Sequence, residues 1–171
     1  MTMDAFLYGT IWASVVAWAG AEVLQRVSPE EPGAARMLWT GGAVLLAIHV
    51  AMAFHGRHGW SHEAAYAATA VQSEAFTGLA AGWGLYLNYA LVVLWLADAL
   101  WWWAAPAAYA RRSRTVARAI FAFFLFMMVN GAVVFAMSRM RWLGVACVAA
   151  VVLARSRRGD VDLGAARTTR E

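Results

Sequence analysis

The chain is a series of long apolar runs separated by short polar segments. The longest run, residues 78–103, contains one acidic residue, Asp98, and no basic residue. As a helix it would be ~39 Å long, whereas the hydrocarbon core of a bilayer is about 30 Å thick. We therefore predict a tilted transmembrane helix here, with the other helices packed around it.

Further apolar runs predict helices over residues 5–25, 36–54, 116–137 and 142–154. The last is short for a membrane span unless flanking Arg and Trp side chains extend to the interface. Ser61 is a suitable N-cap for an alanine-rich helix over residues 64–76. That helix either lies at the interface or continues into the central helix, with a bend at Gly78 or Gly82. The predicted fold is an all-α, polytopic transmembrane helix bundle.

The bundle is predicted to cover residues 1–155, with five spans or, alternatively, four. Residues 156–171 are polar and arginine-rich, and we predict a disordered cytoplasmic tail there. Hydrophobic residues make up 63% of the chain and charged residues only 14%, against about 25% charged residues in soluble domains. This composition is typical of an integral membrane protein. Cys147 is the only cysteine, so an intramolecular disulfide is excluded.

The distribution of arginine predicts the orientation. All 14 basic residues are arginine, which is typical of a GC-rich bacterial genome. With five spans and a periplasmic N-terminus, eleven arginines lie on the cytoplasmic side and three on the other. With four spans the division is six against eight. The positive-inside rule thus favours five spans in a bacterial inner membrane, and the charges flank the membrane rather than a nucleic acid.

Three histidines near the second predicted helix suggest a metal site. His55, His58 and His62 have the spacing i, i+3, i+7, and Glu63 adds a carboxylate. On a helix the three imidazoles would share one face, and such a ligand set suits Zn²⁺ or Cu²⁺. Gly56 and Gly59 lie between these histidines and argue against a regular helix. The alternative is a solvated His/Trp loop at the periplasmic interface.

His49 is the one histidine within a predicted span. It shares a helical face with Gly42, which would leave room for a porphyrin, so His49 is a candidate haem ligand. A second ligand would have to come from a methionine, a loop histidine or a second protomer. The candidate methionines are Met52, Met127 and Met128. The alternative is a His49 that is simply hydrogen-bonded inside the bundle.

Polar residues fall into two layers by their depth in the predicted helices. Polar side chains within the membrane tend to form hydrogen bonds with one another. The outer layer therefore predicts either an internal polar contact or a ligand pocket open to the periplasm. In the inner layer Glu22 has Arg26 at i+4, and Asp98 has Arg26, Arg111 or Arg118 as candidate partners. The outer layer consists of His49, Tyr86, Asn88, Tyr89 and Asn130.

Part of the chain resembles uncharacterised bacterial multi-pass membrane proteins. The resemblance covers residues 49–103, about a third of the chain, and that family has no assigned activity to carry over. The residues that carry it are His55, Trp60-Ser61-His62, Gln72, Gly84-Leu85-Tyr86, Asn88-Tyr89, Trp95, Asp98 and Trp101-Trp102.

The sequence favours a non-catalytic accessory or scaffold subunit that packs with itself or with a larger membrane complex. Gly9, Ala13, Ala17 and Ala21 form a stripe of small residues that permits close helix packing. The first alternative is a metal- or haem-binding protein with its site at the periplasmic face. A small transporter or membrane enzyme is the third hypothesis, because a bundle of 171 residues offers few paired ionisable groups. The sequence contains no GxSxG, HExxH or P-loop motif.

Overall fold

The structure is a computed structural model that describes residues 2–136 and 139–168, with side chains as far as 157. All regular elements in this part of the chain are helical, which confirms the all-α prediction. The helices are α1 (Met3–Val27), α2 (Pro32–Arg57), α3 (His62–Thr77), α4 (Gly84–Ala104), α5 (Pro106–Ala110), α6 (Arg114–Val129) and α7 (Met140–Thr168), and a π-helical turn (Asn130–Val134) continues α6.

Four helices of the described chain are long and apolar enough to cross a membrane. They are α1, α2, α4 and the continuous stretch Arg114–Val134. The shortest has 21 residues, which corresponds to ~32 Å and matches the ~30 Å hydrocarbon core. The length and composition of these helices confirm the prediction of several membrane-spanning helices.

Helices α1 and α2 form an antiparallel hairpin that is the most closely packed pair in the bundle. Ser14 Oγ donates a hydrogen bond to the Gly42 carbonyl across the hairpin, at 2.8 Å. A Cβ at Gly42 would lie 2.6 Å from Trp95 Cζ2 of α4, so this close approach requires glycine. Ala17 and Ala21 of the small-residue stripe are buried within the fold.

An aromatic layer crosses the middle of the bundle. Trp18 of α1, Trp39 of α2, Trp95 of α4 and Phe124 of α6 are each 3% exposed or less. The ring centroids of Trp39 and Phe124 lie 4.9 Å apart, and those of Trp95 and Phe124 lie 5.2 Å apart with the rings edge to face. Offset and edge-to-face contacts of this kind are the favoured aromatic geometries.

The central span is shorter than the sequence predicts. Ser61 caps α3 as expected, its Oγ accepting from the Ala64 N–H at 3.1 Å. Helix α3 then ends at Gly78, whose φ of 74° lies in the left-handed region favoured by glycine. Helix α4 begins only at Gly84, so α3 and the central helix α4 are separate elements.

Helix α7 packs against α1, α6 and the π-helical turn. A Cβ on Gly144 would collide with the Ala132 backbone, so α7 approaches the turn closely. Cys147 and Val151 are buried on the same helix. The predicted end of helix four at residue 137 lies outside the described residues. So do most side chains of the predicted tail, residues 156–171, and the boundary at 155 stays a prediction.

Candidate functional site: two cavities in the bundle

The larger cavity, here the His49 cavity, has a volume of about 560 Å³. Its walls come from α1 to α4 and from α6 with the π-helical turn, and most of the lining is apolar. Leu7, Ile11, Leu46, Leu85, Met127 and Met128 are among the apolar lining residues, and His49, Arg57, His58, Gln72, Asn88 and Tyr89 are among the polar ones.

Contacts with α1 fix the orientation of the His49 ring. Its Nδ1 lies 3.0 Å from the Leu7 carbonyl oxygen and 3.4 Å from Thr10 Oγ1. A carbonyl oxygen only accepts, so we assign the proton to Nδ1, which donates it to Leu7. Nε2 then carries a lone pair. A histidine whose other ring nitrogen donates to a backbone carbonyl is the usual form of a metal-ligating imidazole.

Two of the three methionines considered as partners of His49, Met127 and Met128, line the same cavity. Met128 is 5% exposed, so its thioether is held inside the bundle. Gly131, in the π-helical turn, also lines this cavity. Single π turns within α-helices are frequent at functional sites.

The three loop histidines do not form the predicted metal constellation. Among the described residues no three His, Cys, Asp or Glu side chains come together in a way that could hold a metal ion. The reason is local: α2 runs on through Arg57, and the chain then reverses at Gly59 and Trp60, which both have positive φ. His55 and His58 therefore lie at the end of α2, whereas His62 and Glu63 begin α3.

His62 lies instead in a cluster of tyrosines. Its Nδ1 is 3.1 Å from Tyr89 OH, and its Nε2 is 3.4 Å from Tyr86 OH. The Tyr66 ring centroid lies 6.4 Å from that of His62. Both ring nitrogens of His62 thus have tyrosine partners that tie the start of α3 to α4.

The predicted outer polar layer is divided by the structure. His49, Asn88 and Tyr89 all line the His49 cavity. Tyr86 instead contacts His62 and is 53% exposed. Asn130 Nδ2 donates to the Phe126 carbonyl at 2.8 Å, within its own helix.

The smaller cavity, here the Asp98 cavity, lies beyond the aromatic layer and has a volume of about 120 Å³. It brings together the two predicted inner-layer acids, Glu22 and Asp98, both nearly fully buried. Its other polar lining residues are Gln25, Arg26, Trp39, Tyr109, Arg112 and Arg155.

Each acid has a different type of partner. Glu22 Oε2 lies 3.0 Å from Arg155 Nη1 and 3.7 Å from Arg26 Nη2, so the predicted i, i+4 pair forms and α7 adds a second cation. Asp98 Oδ2 accepts a hydrogen bond from Tyr109 OH at 2.8 Å. For Asp98 the structure therefore shows a phenol as hydrogen-bond partner, where the sequence suggested an arginine.

Tyr109 of α5 is held on three sides. Its ring stacks on Trp102 with centroids 4.8 Å apart, and the Arg112 guanidinium lies 3.7 Å above the ring. Burial, and secondarily the nearby Asp98 carboxylate, raise the pKa of the Tyr109 phenol well above its usual range. The phenol therefore keeps its proton at neutral pH and donates it to Asp98.

No protein family, curated protein or solved structure matches this chain. The resemblance noted from the sequence stays a prediction. The interpretation of function therefore depends on the geometry and chemistry of the two cavities.

Proposed function

We propose that this protein binds a mostly apolar small molecule in the His49 cavity. The observation that carries the proposal is the cavity itself, about 560 Å³ with one oriented imidazole in a largely apolar wall. Ligand pockets typically measure about 300–1,000 Å³ and combine apolar walls with a few placed polar groups. Both features are present here.

Haem is the specific ligand that we propose to test first. His49 would hold the haem iron through Nε2, and Met127 or Met128 could hold it through a thioether. When bound, haem would add redox or gas-binding chemistry. The protein's own contribution is to orient the His49 ring through Leu7 and to exclude water with the apolar walls.

A hemin titration of the purified protein tests the haem proposal. We expect a Soret band with near one-to-one saturation, weakened at least about tenfold in His49→Gln, since the axial nitrogen is lost. His55→Gln is the matched control, because His55 is exposed and does not line the cavity. Equal hemin affinity in the two variants would contradict haem binding at His49.

An apolar fluorescent dye, added with and without hemin, tests the broader proposal of ligand binding. We expect the dye to bind the wild-type protein and to be excluded by Leu46→Trp, which fills part of the lining. Val44→Trp, on an exposed part of the same helix, is the control. Identical dye binding in both variants would mean that the dye does not enter the cavity.

We further propose five spans with a periplasmic N-terminus in a bacterial inner membrane. The arginine distribution supports this topology. The contacts of α7 also support it, because Gly144 near its start lies against Ala132 and Arg155 further along pairs with Glu22. Reporter fusions at Gly33, Gly59, Ser113 and Gly159 should read in, out, in and in. A periplasmic signal at Gly159 would favour the four-span alternative.

A second candidate function is the accessory or scaffold role within a larger membrane complex or homo-oligomer. Gly9 and Ala13, the other half of the small-residue stripe, are exposed, and a Cβ at Gly9 would meet no atom within 4 Å. Gly9→Leu should then abolish cross-linking to a partner in native membranes, whereas Gly41→Leu should not. The third hypothesis, a transporter or membrane enzyme, stays a prediction from the sequence alone.

A further inference from the structure

The Asp98 cavity contains more positive than negative groups. Arg26, Arg112 and Arg155 line it together with only two acids, Glu22 and Asp98, so the formal charge of its ionisable side chains is one positive unit in excess. The Arg26 and Arg155 side chains are 23% and 26% exposed, so water screens part of this excess, and the remainder favours an anionic ligand. A ligand with a single negative charge would balance it.

The same cavity has polar atoms without hydrogen-bond partners. In the part of the chain that the structure describes, Asp98 Oδ1, Trp39 Nε1 and Arg112 Nε are buried and lack a hydrogen bond of good geometry, although the Trp39 side chain lies near enough to Asp98 to interact with its carboxylate. Asp98 and Trp39 are each 3% exposed, so bulk water does not reach them. Two of these atoms are N–H donors and one is an acceptor, and leaving each unsatisfied costs about 1–3 kcal/mol.

We propose that the Asp98 cavity binds a singly charged oxyanion of phosphate chemistry that also carries a hydrogen-bond donor. Its oxygens accept from the Trp39 and Arg112 N–H groups, and its O–H group donates to Asp98 Oδ1. The cavity of about 120 Å³ has room for roughly four water molecules at ~30 Å³ each, which suits one small anionic group.

Two sources provide this chemistry. Inorganic phosphate carries its own O–H group at neutral pH. A phosphatidylglycerol headgroup provides a singly charged phosphate, with a glycerol hydroxyl as the donor. Arginine-rich pockets between transmembrane helices are known to take phospholipid headgroups. The site is separate from the His49 cavity, so the proposal does not depend on haem binding.

The first arm of the test is thermal unfolding of the detergent-solubilised protein in phosphate or in sulfate at matched ionic strength. Sulfate at neutral pH has no O–H group to donate to Asp98. We expect phosphate to stabilise the wild-type protein more than sulfate does. Its apparent affinity should fall at least about tenfold in Trp39→Phe and in Arg112→Gln, which each remove one donor. Arg114→Gln, a nearby exposed arginine outside the cavity, should behave like wild type.

The second arm is native mass spectrometry of protein extracted from membranes that contain phosphatidylethanolamine and phosphatidylglycerol. Retained phosphatidylglycerol that is lost in Trp39→Phe and kept in Arg114→Gln would support the proposal and assign the anion to a headgroup, whereas retention of zwitterionic phosphatidylethanolamine in its place would contradict it. Phosphate stabilisation without retained lipid would support it and assign the anion to free phosphate. Absence of both, or equal effects in all variants, would overturn it and leave a cavity that holds only water.

Discussion

The two cavities of this bundle differ in size, in charge and in the way their polar groups are held. The His49 cavity is about 560 Å³ with a mostly apolar lining, and its imidazole is oriented by a backbone carbonyl. The Asp98 cavity is about 120 Å³ and is lined by two acids and three arginines. The aromatic layer of Trp18, Trp39, Trp95 and Phe124 lies between them.

The difference shows how a small bundle can enclose two kinds of cavity. Charges are tolerated inside a membrane protein only where partners surround them, and the Asp98 cavity is built from such partners. The larger cavity is lined mainly by apolar and neutral polar groups, and its one arginine, Arg57, is paired with Asp4. The exposed ion pair of Asp4 and Arg57, 2.6 Å apart, does not enclose a charge in this way.

The largest expected effect is that of opening the aromatic layer. Trp95→Ala removes a side chain that is fully buried and contacts Trp39 and Phe124. Such truncations cost about 3–5 kcal/mol, and this one would also join the two cavities. The free energy of unfolding in mixed micelles is the measurement. Trp142→Ala, at a position 72% exposed, is the control and should cost much less.

The second-largest effect is expected for the Glu22 ion pair, and the Asp4 ion pair at the other end of the bundle serves as the comparison. Glu22→Gln leaves Arg155 and Arg26 without their carboxylate, and we expect a loss of about 2–4 kcal/mol, reduced by the partial exposure of both arginines. Asp4→Asn breaks an exposed pair and should cost less than about 1 kcal/mol. Equal unfolding free energies for the two variants would show that the Glu22 pair is as well solvated as the Asp4 pair.

Tyr109 of the Asp98 cavity should make the stability of the protein depend on pH in the alkaline range. Its phenol has a raised pKa in the folded protein, so the folded state favours the protonated form. Stability from this group is present below the unfolded pKa of about 10 and is lost as the pH rises above it. Tyr109→Phe should cost about 1–3 kcal/mol at neutral pH.

The unfolding free energy of Tyr109→Phe should also fall less steeply than that of wild type between pH 9.5 and 11. Tyr8→Phe, at a position 59% exposed, is the matched control and should keep the wild-type slope. A wild-type slope in Tyr109→Phe would contradict the burial of this phenol in the folded protein.

The smallest effect concerns the two asparagines of the predicted outer layer. Asn130 bonds to Phe126 of its own helix, whereas Asn88 lines the His49 cavity. Asn88→Leu and Asn130→Leu should therefore each change stability by only about 0.5–1.5 kcal/mol. Their effects should add in the double variant, within about 0.5 kcal/mol. Clearly non-additive effects in the double variant would support the direct contact between Asn88 and Asn130 that the sequence suggested.

The sequence by itself determined the features that depend on local chemistry. Apolar runs longer than about 18 residues predict spans because an isolated helix must satisfy its own backbone in lipid. The Ser61 cap and the Glu22–Arg26 pair also follow from short spacings, since partners three or four residues apart meet on any helix. The boundary at Gly78 was suggested as a bend, but its left-handed conformation makes it a helix end.

Only the tertiary structure decided which distant residues meet. His49 is oriented by Leu7, 42 residues away, and Glu22 is paired with Arg155, 133 residues away. Tyr109 reaches Asp98 because α5 begins at Pro106, immediately after the end of α4, and packs back against α4. Hydropathy gives the length of each helix but not its rotation or its neighbours, because those depend on packing along the whole bundle. That packing brings some of the polar residues into the two cavities and leaves others, such as Tyr86 and Asn130, outside them.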